Sequence, residues 1–198
     1  MGLFDFLSLN KKAPDLTPAY TAIMAQARKP DHYGAGGVPD SFDGRFDMLA
    51  AHVHLVLRRL RSAGVARDDI GQALFDIFFR DMDQAMREAG VGDLGVGKRI
   101  RKMAEAYYGR AAAYDEALGK EAPVTQNADM VAALSAVLTR NLYPDSGDDV
   151  GVADDAKMQT LSAYLLALES DLAQVSVCLL YTSPSPRDRT RSRMPSSA

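Results

Sequence analysis

The residues of this chain that could do chemistry are few, and they do not combine. His52 and His54 form a His-Val-His pair, and His32 is the third histidine. Two residues apart on a helix, side chains point about 200° away from one another. A regular helix therefore cannot turn both imidazoles onto one metal. The chain has no His-Glu-x-x-His and no Glu-x-x-His pattern, so the helical zinc and di-iron sites lack their donors. His52 and His54 read as surface or groove residues, and His32 as a loop residue. The run GVGDLGVGKR, from Gly90 to Arg99, resembles a phosphate loop only superficially. Arg99 follows Lys98 where that loop needs Ser or Thr, and the glycines follow a helical pattern instead of a strand. Asp40, Asp43 and Asp47 cluster around Arg45, but no nucleophile or metal set joins them, so acid–base catalysis has no partner. No catalytic residue, metal site or cofactor is expected.

Three features point to recognition instead. Lys98, Arg99, Arg101 and Lys102 crowd the expected start of a helix, where the helix dipole disfavours cations by roughly 0.3–1 kcal/mol each. Two readings stay open. Asp81, Asp83, Glu88 and Asp93 neutralise the cluster within the fold, or an anionic partner does. The second feature is Tyr107-Tyr108-Gly109-Arg110. Glycine inside a helix costs about 1 kcal/mol relative to alanine, so another helix or a partner should come close at Gly109. Tyr107 belongs to the apolar stripe. Tyr108, about 100° further round, is expected exposed, and Tyr with Arg is a common interface anchor. The third is the segment GVPDSFDGRFDM, in which Asp40 or Ser41 caps a helix and Arg45 is a contact candidate.

These residues need helices to hold them. Apolar residues recur at helical spacing through six stretches. The first is Pro18–Arg28, started by Thr17-Pro18 and followed by a loop over 29–43. The second runs from about Ser41 to Ser62, with a stripe from Phe46 to Leu60. The third runs from about Ala66 to Ala89 and closes at Gly90. The fourth is Val96–Leu118, the fifth about Gln126–Leu142, and the sixth starts near Asp154 and should have continued past Val177, where the tail of residues 178–198 interrupts it. No strand-like alternation and no repeat occur. The expected fold is all-α, a single multi-helix domain of about six helices, over residues 17–177.

The chain has 198 residues with 47% hydrophobic and 25% charged, which fits one globular domain. The net charge of −3 argues against a dedicated nucleic-acid binder, and no DNA partner is expected. No apolar run of about 18 residues occurs, and residues 1–16 lack the pattern of a signal peptide. They read as an irregular arm in which Leu3, Phe4, Phe6 and Leu7 touch the core, a partner or a membrane. The chain is thus expected to stay in the cytoplasm. Residues 178–198 differ from all that precedes them and resemble translated sequencing-adapter DNA. They read as a non-native tail. Without its four arginines and one aspartate the remainder carries −6, and its Cys178 is the sole cysteine. No disulfide or thiol chemistry is therefore expected. Nothing in the sequence signals an oligomeric state.

Three motifs together, VPDSFDGRFDM, FRDMDQAMREAGVGDLGVGK and YYGRAAAY, resemble the bacterial ubiquinol–cytochrome c chaperone family, related to the mitochondrial assembly factors of the cytochrome bc1 complex. The likeness runs in order from about Tyr20 to Leu142. It implies a non-enzymatic assembly factor, without a cofactor of its own, that binds newly made cytochrome b from a peripheral position at the inner membrane. Through the mitochondrial relatives it also implies work near the ribosome. The client surface would comprise Phe42, Arg45, Asp47, Asp81, Asp83, Arg87, Glu88, Asp93, Lys98, Arg99, Lys102, Tyr108, Gly109 and Arg110. Two other classes compete. One is a helical ligand-binding protein or enzyme handling haem or quinone, which needs an apolar cavity with convergent polar groups. The other is an adaptor for anionic membrane or RNA through Lys98–Lys102, which salt should weaken.

Overall fold

Local signals set most of the helix ends. In the computed structural model, which describes residues 15–64, 68–119, 127–144 and 151–176, six α-helices follow one another: α1 Thr17–Ala27, α2 Phe42–Ser62, α3 Asp68–Glu88, α4 Asp93–Leu118, α5 Ala128–Leu142 and α6 Asp155–Gln174. Among the described residues the only strand-like feature is a bridge between Tyr33 and Val38. The fold is all-α, as expected. Ser41 caps α2, accepting from the Gly44 N–H at 3.1 Å, so Asp40 is not the cap. Asn127 caps α5 and Asp154 caps α6 in the same way, which satisfies amide groups that the first turn leaves unpaired. Thr17 is the first residue of α1 and not its cap; its N–H donates to Asp15 Oδ1 at 3.0 Å. Leu16, at the end of the segment read as an arm, is buried in the core.

Helix α2 is the axis of the molecule. It touches each of the other five helices, and 14 of its 21 residues are buried. A helix hidden on nearly every side must bury its polar residues too. That overturns the expectation that His52 and His54 lie at a surface: they are 2% and 1% exposed. They point opposite ways, as their spacing requires, but both faces are covered. Helix α6 lies over one and α4 over the other.

The remaining core follows the predicted stripes. Leu74, Phe78, Met82 and Met86 of α3 are buried, with Val96, Tyr107, Tyr114 and Leu118 of α4, Leu134 and Leu138 of α5, and Met158, Leu161 and Leu165 of α6. Each such side chain stabilises by about 1.5–3 kcal/mol. The loop after α1 is fastened to α6. The Asp154 N–H donates to the Gly36 carbonyl at 2.9 Å. A Cβ on Gly36 would stand 2.5 Å from Asp154 Cβ, so only glycine admits this approach. Helix α6 ends at Gln174, just before the segment read as a non-native tail. Arg59 of α2 donates to the carbonyls of Leu172 and Val175 at 2.9 and 3.1 Å and so caps its C-terminal end.

Candidate interaction surface

The corner between α3 and α4 is built by glycine. Gly90 sits at φ +81°; its N–H donates to the Arg87 carbonyl and the Val91 N–H to the Met86 carbonyl, at 2.9 and 3.0 Å. This pair of bonds is the glycine-closed helix end in which a left-handed residue lets the chain turn back. Gly92 then precedes α4, which begins at Asp93. That is three residues earlier than the sequence suggests, because buried Val96 draws the glycine-containing turn into the helix.

The early start changes the meaning of the basic cluster. Lys98, Arg99, Arg101 and Lys102 lie beyond the first turn, where the dipole penalty fades. All four are exposed. The acids expected to neutralise them are engaged elsewhere. Asp81 accepts from Tyr20 Oη at 2.8 Å. Asp83 holds Arg87 at 2.6 Å, and Asp93 also pairs with Arg87. Glu88 accepts from Gln84 at 2.7 Å. Among the described residues no ion pair joins those acids to the cluster.

Of the other candidate residues, Tyr108 is exposed (63%) and so is Phe42 (41%). Arg45 pairs with Asp40 at 2.7 Å on the open surface. Gly109 is exposed, and a Cβ there would meet nothing within 4 Å. The helix expected to approach it is absent among the described residues. Asp47 and Arg110 are not surface groups. They form an ion pair at 2.5 Å between α2 and α4, with Asp47 4% exposed. The Arg110 guanidinium also lies 5.5 Å from the centre of the Phe46 ring. Burial pushes the Asp47 carboxyl up to about 7, against the pull of Arg110. The two hold the helices that carry the surface.

Beside Tyr108 the surface opens into a groove of about 610 Å³ between α2, α3 and α4, lined by Leu57, Leu60, Phe75, Tyr107, Tyr108 and Ala111 among others. Phe75, Phe79, Tyr107 and Tyr108 form a ladder of aromatic contacts, with Phe75 5.7 Å from Tyr108 and 4.6 Å from Phe79.

Residues 35–181 match the family described as ubiquinol–cytochrome C chaperone. The chain belongs to this chaperone family. Among solved structures it is similar to the Cbp3 homolog from Brucella abortus, at 33% identity and a TM-score of 0.68, over 92% of this chain and 97% of that one. No curated protein matches it significantly. The family match covers every candidate residue from Phe42 to Arg110 and ends at residue 181, inside the segment 178–198 that composition sets apart. That segment lies outside the described residues. No described helix of this chaperone-family chain is long and apolar enough to cross a membrane.

The polar machinery that sequence reading missed is buried. His52 donates from Nδ1 to the Met48 carbonyl at 2.7 Å and accepts at Nε2 from Tyr164 Oη at 2.9 Å. His32 packs on that tyrosine with ring centres 4.6 Å apart. On the other side of α2, His54 Nε2 donates to Asp115 at 3.0 Å. Arg58, one turn on, reaches Asp115 and Glu169, each at 3.3 Å, and the Gly119 carbonyl at 2.6 Å. Burial lowers both histidines to about 4, so they are neutral at pH 7. The available signal was His54 and Arg58 at i, i+4, a spacing that puts both on one face of α2.

Proposed function

We propose that this chain is a non-enzymatic assembly factor that binds newly made cytochrome b and promotes assembly of the ubiquinol–cytochrome c reductase complex. Its membership of the chaperone family supports the class of function. The observation that carries the site is the exposed cation cluster of α4, which makes no ion pair among the described residues, on the same helix as exposed Tyr108 and Gly109. Asp83, Arg87, Glu88 and Asp93 extend this surface around the α3–α4 corner, while Arg45 lies apart from it, paired with Asp40 beside Tyr33. Phe42 adds an exposed aromatic ring at the start of α2. Asp47 and Arg110 act from beneath by fixing α2 to α4, and Asp81 by tying α3 to Tyr20 of α1.

The chain should be recovered from a membrane extract together with cytochrome b. A strain deleted for it should lose the assembled complex, and normal levels there would sink the proposal. The unpaired cations favour a second, compatible role. Lys98–Lys102 would hold the protein peripherally at an anionic inner-membrane surface, or against ribosomal RNA, by contacts that salt screens. Binding to anionic vesicles and to RNA, compared at low and high salt, separates these two. A retention that salt does not change removes both.

A further inference from the structure

The groove beside Tyr108 is lined mainly by apolar residues, with Arg61, Gln72 and Asp115 as its polar lining. Leu57, Leu60, Tyr107 and Ala111 make the floor, and Phe75 and Tyr108 flank it. On the α3 side the wall opens at Gly71, where a Cβ would meet only Leu57 Cδ2, at 3.6 Å. A glycine inside a helix costs about 1 kcal/mol relative to alanine, and no close packing among the described residues explains this one. On the α4 side the rim is exposed Ala112, beside Ala111 of the floor. Small residues on both rims let a helix backbone come close. From Tyr108 to Asp115 the groove follows α4 for about two turns, or roughly 10 Å, enough for apolar side chains at i and i+3 or i+4 of a docked helix.

Charge gives the occupant a direction. At one end Arg61 and Asp115 satisfy each other at 3.2 Å, and Gln72 is held by Asp76 at 2.6 Å. Towards the other end Arg101 lies seven residues before Tyr108, about two turns and thus on the same face. It is exposed and makes no ion pair among the described residues. Lys98 adds a second charge beside it, Glu105 is the acid on this stretch of α4, and Asp83 of α3 is held by Arg87, so the α4 side of this end is net positive.

We infer that the groove takes one apolar helical segment of the membrane client, carrying an acidic group about two turns from its apolar contact, where Arg101 meets it. This rests on the client reading above. It is tested on the full chain by fluorescence anisotropy with labelled helical peptides of about 20 residues. One is leucine- and alanine-rich with a glutamate-rich end. A second carries lysines at that end. A third keeps the glutamates but has its apolar face replaced by serine and glutamine. The first should bind at least about tenfold more tightly than the others. Ala112→Arg, at an exposed position, and Gly71→Leu should abolish that binding, the first without changing the melting curve. Arg101→Glu should reverse the preference between the acidic and basic ends. Equal binding of all three peptides overturns the inference. So does wild-type affinity in Ala112→Arg, or binding that emerges only after residues 1–14 are deleted, which would make the chain's own arm the occupant. Co-purified cytochrome b is scored in parallel. Ala112→Arg that loses the peptide yet keeps cytochrome b overturns the groove and leaves the proposed function standing. Peptide binding with no cytochrome b on the wild-type chain supports the groove and overturns the cytochrome b reading.

Discussion

Gly109 is a residue whose cost the fold does not explain. It lies inside α4, is exposed, and among the described residues has nothing within 4 Å of where a Cβ would be. Gly109→Ala should therefore raise the unfolding free energy by about 1 kcal/mol, read from a urea midpoint. The same variant should retain less cytochrome b if the client comes against this position. Gain of stability with unchanged retention would remove Gly109 from the surface. The buried histidines make a second prediction. In the unfolded chain they protonate near 6.5, whereas burial holds them at about 4 in the folded one. Below pH 6.5 the unfolded state takes up protons that the folded state does not, so stability falls as pH drops towards 4. Each contributes on the order of 3 kcal/mol over that window. Asp47 has the opposite sign. Its folded value of about 7 lies above the ordinary 3.8, so its contribution grows as pH falls through the same range. The melting temperature should decline from pH 7 to pH 5, and more steeply in Asp47→Asn. A flat profile in both proteins would contradict this account.

At the scale of elements, the α3–α4 corner depends on one backbone conformation. Gly90 at φ +81° lies where a side chain is strained, so Gly90→Ala should cost about 1 kcal/mol or more in a denaturant titration. The cations of α4 should behave differently. They have no ion pair among the described residues and lie beyond the first turn. Replacing Lys98, Arg99, Arg101 and Lys102 by glutamine should leave the melting temperature within a degree or two and abolish salt-sensitive retention on anionic vesicles. A large fall in melting temperature would mean that the cluster serves the fold. Helix boundaries were legible where the signal is local. Ser41, Asn127, Asp154 and Gly90 cap or close helices as residues of their type do. The start of α4 was not legible, because Gly92, Gly95 and Gly97 read as a turn. Burial of Val96, a tertiary contact, outweighs their cost.

Across the whole molecule, the decisive circumstance is that α2 is enclosed. Arg58 is 4% exposed and ties α2 to Asp115 of α4 and Glu169 of α6. Truncating one partner of a buried charge network is expensive, so Arg58→Ala should cost about 3–5 kcal/mol. A loss well below that, by thermal or chemical unfolding, would show that the charges rearrange. The sequence by itself determined the all-α class, the six helices and their apolar stripes, because helical period and turn chemistry are local properties. It also carried, in VPDSFDGRFDM and its companion motifs, the family. It could not tell which faces of α2 would be covered, and so His52 and His54 read as surface groups and Asp47 and Arg110 as contacts. Nor could it tell that Asp81, Asp83, Glu88 and Asp93 would find other partners. Burial and pairing depend on which helices pack together, and only the tertiary structure fixes that. The same packing creates the groove, whose lining comes from residues in α2, α3 and α4 that lie far apart along the chain.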